Sequence, residues 1–225
     1  MSNFSISVKK LTDVELMREA CESTFIGSSK QSLLGMYKAE HSPARTQMFW
    51  ISAKRIPLFV STHLIRHHVG SIPFQLTCRD DRNGGNPGII DRLQRVIDSL
   101  QGEINDDVIN NAINELEWLQ DNADRYTPVN LSLLVNAQAL IDIAKLRLCN
   151  MAHKETIEVF EEIKRKVAEV DPDLASMMVR KCVYRGGICG EGRCCGFNHT
   201  LKFRDELKNY IKNFSDSQVG CYLND

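Results

Sequence analysis

No stretch of this 225-residue sequence is apolar for the roughly 20 consecutive residues that a bilayer span requires, which excludes a membrane-spanning helix as the organising element. The first residues, MSNFSISVKK, lack a cationic segment followed by an apolar core and do not read as a secretory leader. Charge of one sign is not in excess either. The formal net charge is −1, far from the basic balance of a protein that binds nucleic-acid polymers, although a few arginines suffice for a small anion. Internal repeats and low-complexity tracts are also missing. What is present is an ordinary globular balance, 43% hydrophobic and 25% charged, enough for one large domain or two small ones. The reading is a cytoplasmic protein whose eight cysteines are reduced thiols or metal ligands rather than disulfides.

Periodicity predicts an α+β chain, mostly helical with a small sheet, forming a single domain over residues 1–225. Thr12 and Glu15 read as a capping box for a helix to about Ser23. A short helix is expected over Lys30–Glu40, and a strand over the aromatic-rich run Thr46–Lys54. Pro57 suits the first turn of a helix to His67, since proline lacks only an N–H that is orphaned there. Residues 72–80 read as extended and 83–88 as a loop. Two polar amphipathic helices, near 89–101 and 104–122, make a helical insertion at about 84–124. The segment Pro128–Asn150, apolar almost all round, reads as one helix buried in a domain or subunit interface. Further helices are expected over Lys154–Val170, from Asp171 (cap) and Pro172 to Lys181, and finally to Phe214, the last preceded by a Cys/Gly-rich loop at 182–197.

Two polar clusters stand out. Arg66, His67 and His68 leave an apolar helix together, with Arg79 further along. Guanidinium forks suit phosphates, and imidazoles can hydrogen-bond or stack on a planar cofactor. The alternative is that these cations cap a helix C-terminus. In the second cluster, Asn136, Gln138, Asp142, Lys145 and Arg147 interrupt an apolar run. Asn136 and Arg147 are eleven residues apart and return to nearly one helix face. A buried arginine needs an anionic partner: a ligand, or an internal carboxylate such as Asp142 or a glutamate of the next helix.

These clusters resemble the flavin-dependent thymidylate synthases. Glu40-His-Ser-Pro43, the strand around Phe49, and the helix Pro57 to His68 are similar to that family's core, in which an apolar helix delivers an Arg-His-Arg signature. The run from Asn136 to Arg147 resembles its Asn-Ala-Arg-Ser-Leu helix, and Ala152-His-Lys-Glu155 stands where the family has Ala-Gln-Trp-Glu. The likeness covers about residues 36–82 and 125–187. His68 replaces the second arginine of the signature, and Ile72–Arg79 departs from the family's Ser-X-Arg segment by one extra residue. By resemblance, Arg66, His67, His68 and Asn136 would contact FAD or folate. His63, Arg79 and Arg147 would bind the nucleotide, dUMP or a similar one. NADPH and methylenetetrahydrofolate would be co-substrates, and the assembly a homotetramer with shared active sites. The expected reaction is reductive methylation of C5 of dUMP. A related C5 modification of another pyrimidine nucleotide, or a non-catalytic nucleotide-binding protein on the same scaffold, are the competing readings.

The cysteines form a separate signal. Cys182, Cys189, Cys194 and Cys195, joined by Cys149, have the chemistry of a structural zinc site, with Cys149, Cys182, Cys189 and Cys195 as the ligand set. Free cytosolic thiols are the alternative.

Overall fold

The computed structural model describes residues 4–24, 32–76, 109–110, 114 and 125–214. Four strands form its centre: β1 (Ser5–Lys10), β2 (Met48–Pro57), β3 (Ser71–Gln75) and β4 (Pro128–Asn136), in the order β1-β2-β4-β3. Every neighbouring pair is antiparallel. Alternation explains the sheet. Ile6 of β1, Phe49, Ile51 and Ala53 of β2, and Val129, Leu131, Leu133 and Val135 of β4 are all buried. They share one face at the period of two that a strand imposes. On β2 the register shifts between Ala53 and Ile56, where Arg55 takes a positive φ of 60°. The extra residue returns Ile56 to the buried face, the usual effect of a bulge.

The helices are α1 (Val14–Glu22), α2 (Leu33–Ala39), α3 (Leu58–Ile65), α4 (Ala137–Arg147), α5 (Lys154–Val170), α6 (Pro172–Met177), α7 (Lys181–Tyr184) and α8 (Leu201–Ile211). Helix α5 buries Thr156, Val159, Phe160, Ile163 and Val167 at helical spacing. Each large apolar side chain so buried stabilises the fold by about 1.5–3 kcal/mol. These residues share a hydrophobic core with Met17, Tyr37, Phe49, Ile141, Leu174 and Met178. The class is α+β with a small sheet, as expected. No helix among the described residues is long and apolar enough to cross a membrane.

Several expectations are corrected. The predicted helix over 128–150 is a strand followed by a helix, because Val129, Leu131, Leu133 and Val135 alternate with Asn130, Ser132 and Asn136. Leu134, outward on β4, disguised that alternation as a continuous apolar run. Strand β1 was not foreseen. The N-cap of α1 is Asp13, whose Oδ1 accepts from Leu16 N at 3.0 Å. Thr12 instead ties this turn to β2: its hydroxyl donates to Thr46 O at 3.0 Å and accepts from Met48 N at 2.9 Å. Helix α6 stops at Met177 rather than Lys181. Met177, Met178, Val179 and Arg180 are consecutively buried, which one helix face cannot achieve. The expected loop at 83–88 and helix at 89–101 lie outside the described residues, as does the insertion apart from helical residues 109, 110 and 114.

Candidate functional site

The residues that follow α3 reach both ends of α4, Gly70 at Asn136 and His67 at Arg147. Asn136 caps α4, its Oδ1 accepting from Ala139 N at 2.8 Å. Its own N–H donates to Gly70 O at 2.9 Å, which holds the segment after α3 against the start of α4. Gly70 has a φ of +74°, and a Cβ there would stand 2.5 Å from Asn136 Nδ2, so only glycine permits this approach. Between them opens a cleft of about 300 Å³, lined among others by Arg45, Arg66, His67, His68, Asn136 and Gln138. This is at the lower end of small-molecule sites.

Arg147, the last residue of α4, donates from Nε to His67 Nε2 at 2.8 Å. The accepting nitrogen carries no proton, so the ring is neutral with hydrogen on Nδ1. Burial, the Arg147 charge and His68 push the His67 pKa down to about 4. Arg147 has no carboxylate within ion-pair distance among the described residues; Asp142 is taken by Lys145 Nζ at 3.0 Å, which also reaches Glu40 Oε2 at 3.0 Å. The internal salt bridge considered for Arg147 is therefore not formed with Asp142. Its terminal amino groups remain as a fork of donors.

His63 on α3 stands 3.0 Å (Nδ1) from Thr156 Oγ1 of α5. Its pKa is lowered by burial and then by the charges of Arg147, Arg66, His153 and Arg125. These groups thus concentrate positive charge around one spot. Beside it, Arg125 lies 4.6 Å over the Phe59 ring, which is also in edge contact with Tyr126, His153 and His63. Phe59 is itself buried in the core, so this cluster places cationic groups beside the cleft rather than an open aromatic surface.

Of the residues singled out from sequence, Arg66, His67, His68 and Asn136 share the cleft, with Arg147 and His63 adjoining it. Arg79 lies outside the described residues. His68 takes the helix-capping role considered above: its Nδ1 is 3.1 Å from Arg66 O at the C-cap of α3. His67 and Arg147 meet within one chain. Arg45, Arg125 and the Phe59–Tyr126 pair were missed, since isolated residues far apart in sequence give no local signal.

The cysteines converge elsewhere. Cys149, Cys182, Cys189, Cys194 and Cys195 all line one cavity with Arg180 and Phe197. Burial pushes the Cys149 thiol up, with Cys195, Glu191 and Cys189 adding to it, and burial does the same at Cys182, with Cys149 adding. Among the described residues, no group of three or more His, Cys, Asp or Glu side chains is already disposed to hold a metal ion. Convergence was foreseen; a formed ligand set is not what stands there.

No family model matches the sequence, and a search of curated protein sequences gives no match. Solved structures do match. The flavin-dependent thymidylate synthase of Helicobacter pylori, complexed with FAD and dUMP, superposes with a TM-score of 0.56 at 13% identity, covering 78% of this chain and 100% of that one. A UMP/dUMP methylase from Streptomyces cacaoi, bound with 5-Br dUMP, gives a TM-score of 0.50 at 15% identity, covering 78% and 94%. The architecture around the cationic cleft is that of the flavin-dependent thymidylate synthase fold.

Proposed function

We propose that this chain binds a deoxyuridine nucleotide against Arg66, His67 and Arg147 and transfers a one-carbon unit to C5 of its base. The observation that carries the reading is the Arg147–His67 contact, a half-buried guanidinium paired with a neutral imidazole and given no carboxylate among the described residues. Such a group has been desolvated without compensation, and a nucleotide phosphate or a pyrimidine carbonyl supplies it. The fold similarity supports the same reading, since the matched Helicobacter pylori enzyme is complexed with dUMP.

The cleft also fits part of a flavin. Gln138 Oε1 is buried there with no hydrogen-bond partner, an acceptor suited to the imide N–H of an isoalloxazine ring. Arg45 and Arg66 would face the pyrophosphate, and the Asn136 amide would close the site behind the ring. When bound, FAD would supply the hydride that turns the transferred methylene into a methyl group, with methylenetetrahydrofolate as carbon donor and NADPH as reductant. The chain's part is to bind, orient and compensate charge. His63 would hold the base edge, and Arg147 would fix the nucleotide with its terminal amino groups. Among the described residues no cysteine lines the cationic cleft, so no thiol nucleophile is assigned. Assembly as a homotetramer belongs to the same proposal: Ile72 and Phe74 of β3 expose 54% and 52% of their surface on the outer face of the sheet.

Calorimetry with dUMP tests the site. Arg147→Ala is expected to abolish measurable affinity while the circular dichroism spectrum stays unchanged; equal affinity in the variant would remove the site. The absorption spectrum of the purified protein tests the chemistry. Flavin bands, native or after reconstitution with FAD, support the enzyme. A colourless protein that still binds dUMP is a nucleotide-binding module on this scaffold.

A further inference from the structure

Beyond the far end of α4 lies a second cavity, independent of the nucleotide proposal. Its volume is about 20 Å³ and its wall includes Cys149, Cys182, Cys189, Cys194 and Cys195. A space of that size exceeds the roughly 10–15 Å³ that a single water needs, so it suits one small occupant and no organic ligand. The thiols come from separate parts of the chain. Cys149 follows α4, Cys182 sits on α7, and the others belong to the segment before the turn at Phe197–His199.

Two of these positions are held rigidly. Arg180, only 4% exposed, donates to Leu148 O and to Asn150 Oδ1 beside Cys149, and it precedes α7. Its other nitrogens reach Glu161 and Glu206, each at 3.1 Å. One buried guanidinium therefore fixes the Cys149 and Cys182 segments against each other. The segment 185–196 is different. It has five glycines, at 186, 187, 190, 192 and 196, and no helix or strand. Its one large aliphatic residue, Ile188, is 69% exposed. Apolar burial does not anchor this segment, yet it carries its thiols to the same small cavity as the fixed pair.

We propose that Cys149, Cys182, Cys189 and Cys195 close on a single zinc ion, a tetrahedral thiolate site that fastens the 185–196 segment to the α4 and α7 ends. Soft sulfur donors select zinc over magnesium or calcium, and the cavity is too small for an iron–sulfur cluster. Cys194 is the spare. Its Sγ accepts from Gly196 N at 3.4 Å and stands 3.3 Å from Asn198 Oδ1, bonds made within its own turn. Among the described residues no group is yet disposed for ligation, so closure requires thiols of the cavity wall to move toward one another. The glycine-rich backbone permits that movement. Structural zinc commonly provides the ordering energy where a small core cannot.

The test is elemental analysis of the full chain purified without chelator from zinc-supplemented cells. About one zinc per chain is expected, with a lower melting temperature after chelation. Cys189→Ser should lose the metal and Cys194→Ser should keep it; Cys189 lies in the loop rather than the core, so its variant remains folded enough to read. Cobalt(II) added to the stripped protein should give thiolate charge-transfer and tetrahedral absorption bands. Metal-free protein with all thiols titratable and an unchanged melting temperature would overturn the proposal. So would iron with labile sulfide, or a disulfide among the four.

Discussion

His67 shows how burial beside a guanidinium sets a protonation state. Its Nε2 accepts from Arg147, so a second proton on the ring would meet a guanidinium already in contact. Burial first, then the Arg147 and His68 charges, lower its pKa from 6.5 to about 4 on folding. Between those values the unfolded chain takes up a proton that the folded chain refuses. Stability from the neutral ring is complete above about 6.5 and is lost as pH falls toward about 4. The midpoint of urea unfolding, followed from pH 7 to 4, should decline less steeply in His67→Asn than in the parent; parallel curves would show that the ring is not held neutral. Asp171 is a second residue with several duties. It accepts from Lys10 Nζ at 2.6 Å, Tyr37 Oη at 2.8 Å and Leu174 N at 3.0 Å. Asp171→Ala strands a cation and a buried phenol and removes the cap of α6. The expected loss is about 3 kcal/mol by denaturant unfolding, and Asp171→Asn should lose less.

At the scale of elements, helices with a clear stripe were legible, as were β2 and the extended stretch that holds β3, while β1 and β4 were not. Helix α5 is read from Val159, Phe160, Ile163 and Val167 alone, since their spacing admits only a helix. Strand β4 was hidden because Leu134, on the outer face, stands opposite Trp50 of β2 and Ile72 of β3. An outward row that is itself apolar erases the alternation by which a half-buried strand is recognised. The site shows the same division. Arg66, His67, Asn136 and Arg147 stood out in the sequence as polar groups on apolar elements, while Arg125 and Phe59 become neighbours only through the fold. The joint between α3 and α4 gives a prediction of its own. Gly70→Ala forces a side chain into a positive-φ position and against Asn136. It should cost at least about 1–2 kcal/mol and weaken dUMP binding as well. Intact stability by thermal unfolding would mean that this approach is not needed.

For the whole molecule, the outer face of the sheet raises the question of assembly. Trp50 and Phe74 stack there with ring centroids 5.4 Å apart, beside the half-exposed Ile72. An apolar row across three strands is costly to leave in water, and copies of the chain cover it most simply. Light scattering at micromolar concentration should give an oligomer, and the double variant Ile72→Asp, Phe74→Asp should give a smaller species. A parent protein that is already a monomer would refute this.

Whatever the assembly, the Arg147–His67 pair proposed to anchor the nucleotide forms inside one chain. If that pair alone sets the affinity, occupancy should not depend on how many other subunits are occupied, and saturation should follow a simple hyperbola rather than a sigmoid. A dilute, dissociated chain would keep its grip on the ligand even where the assembled site is lost.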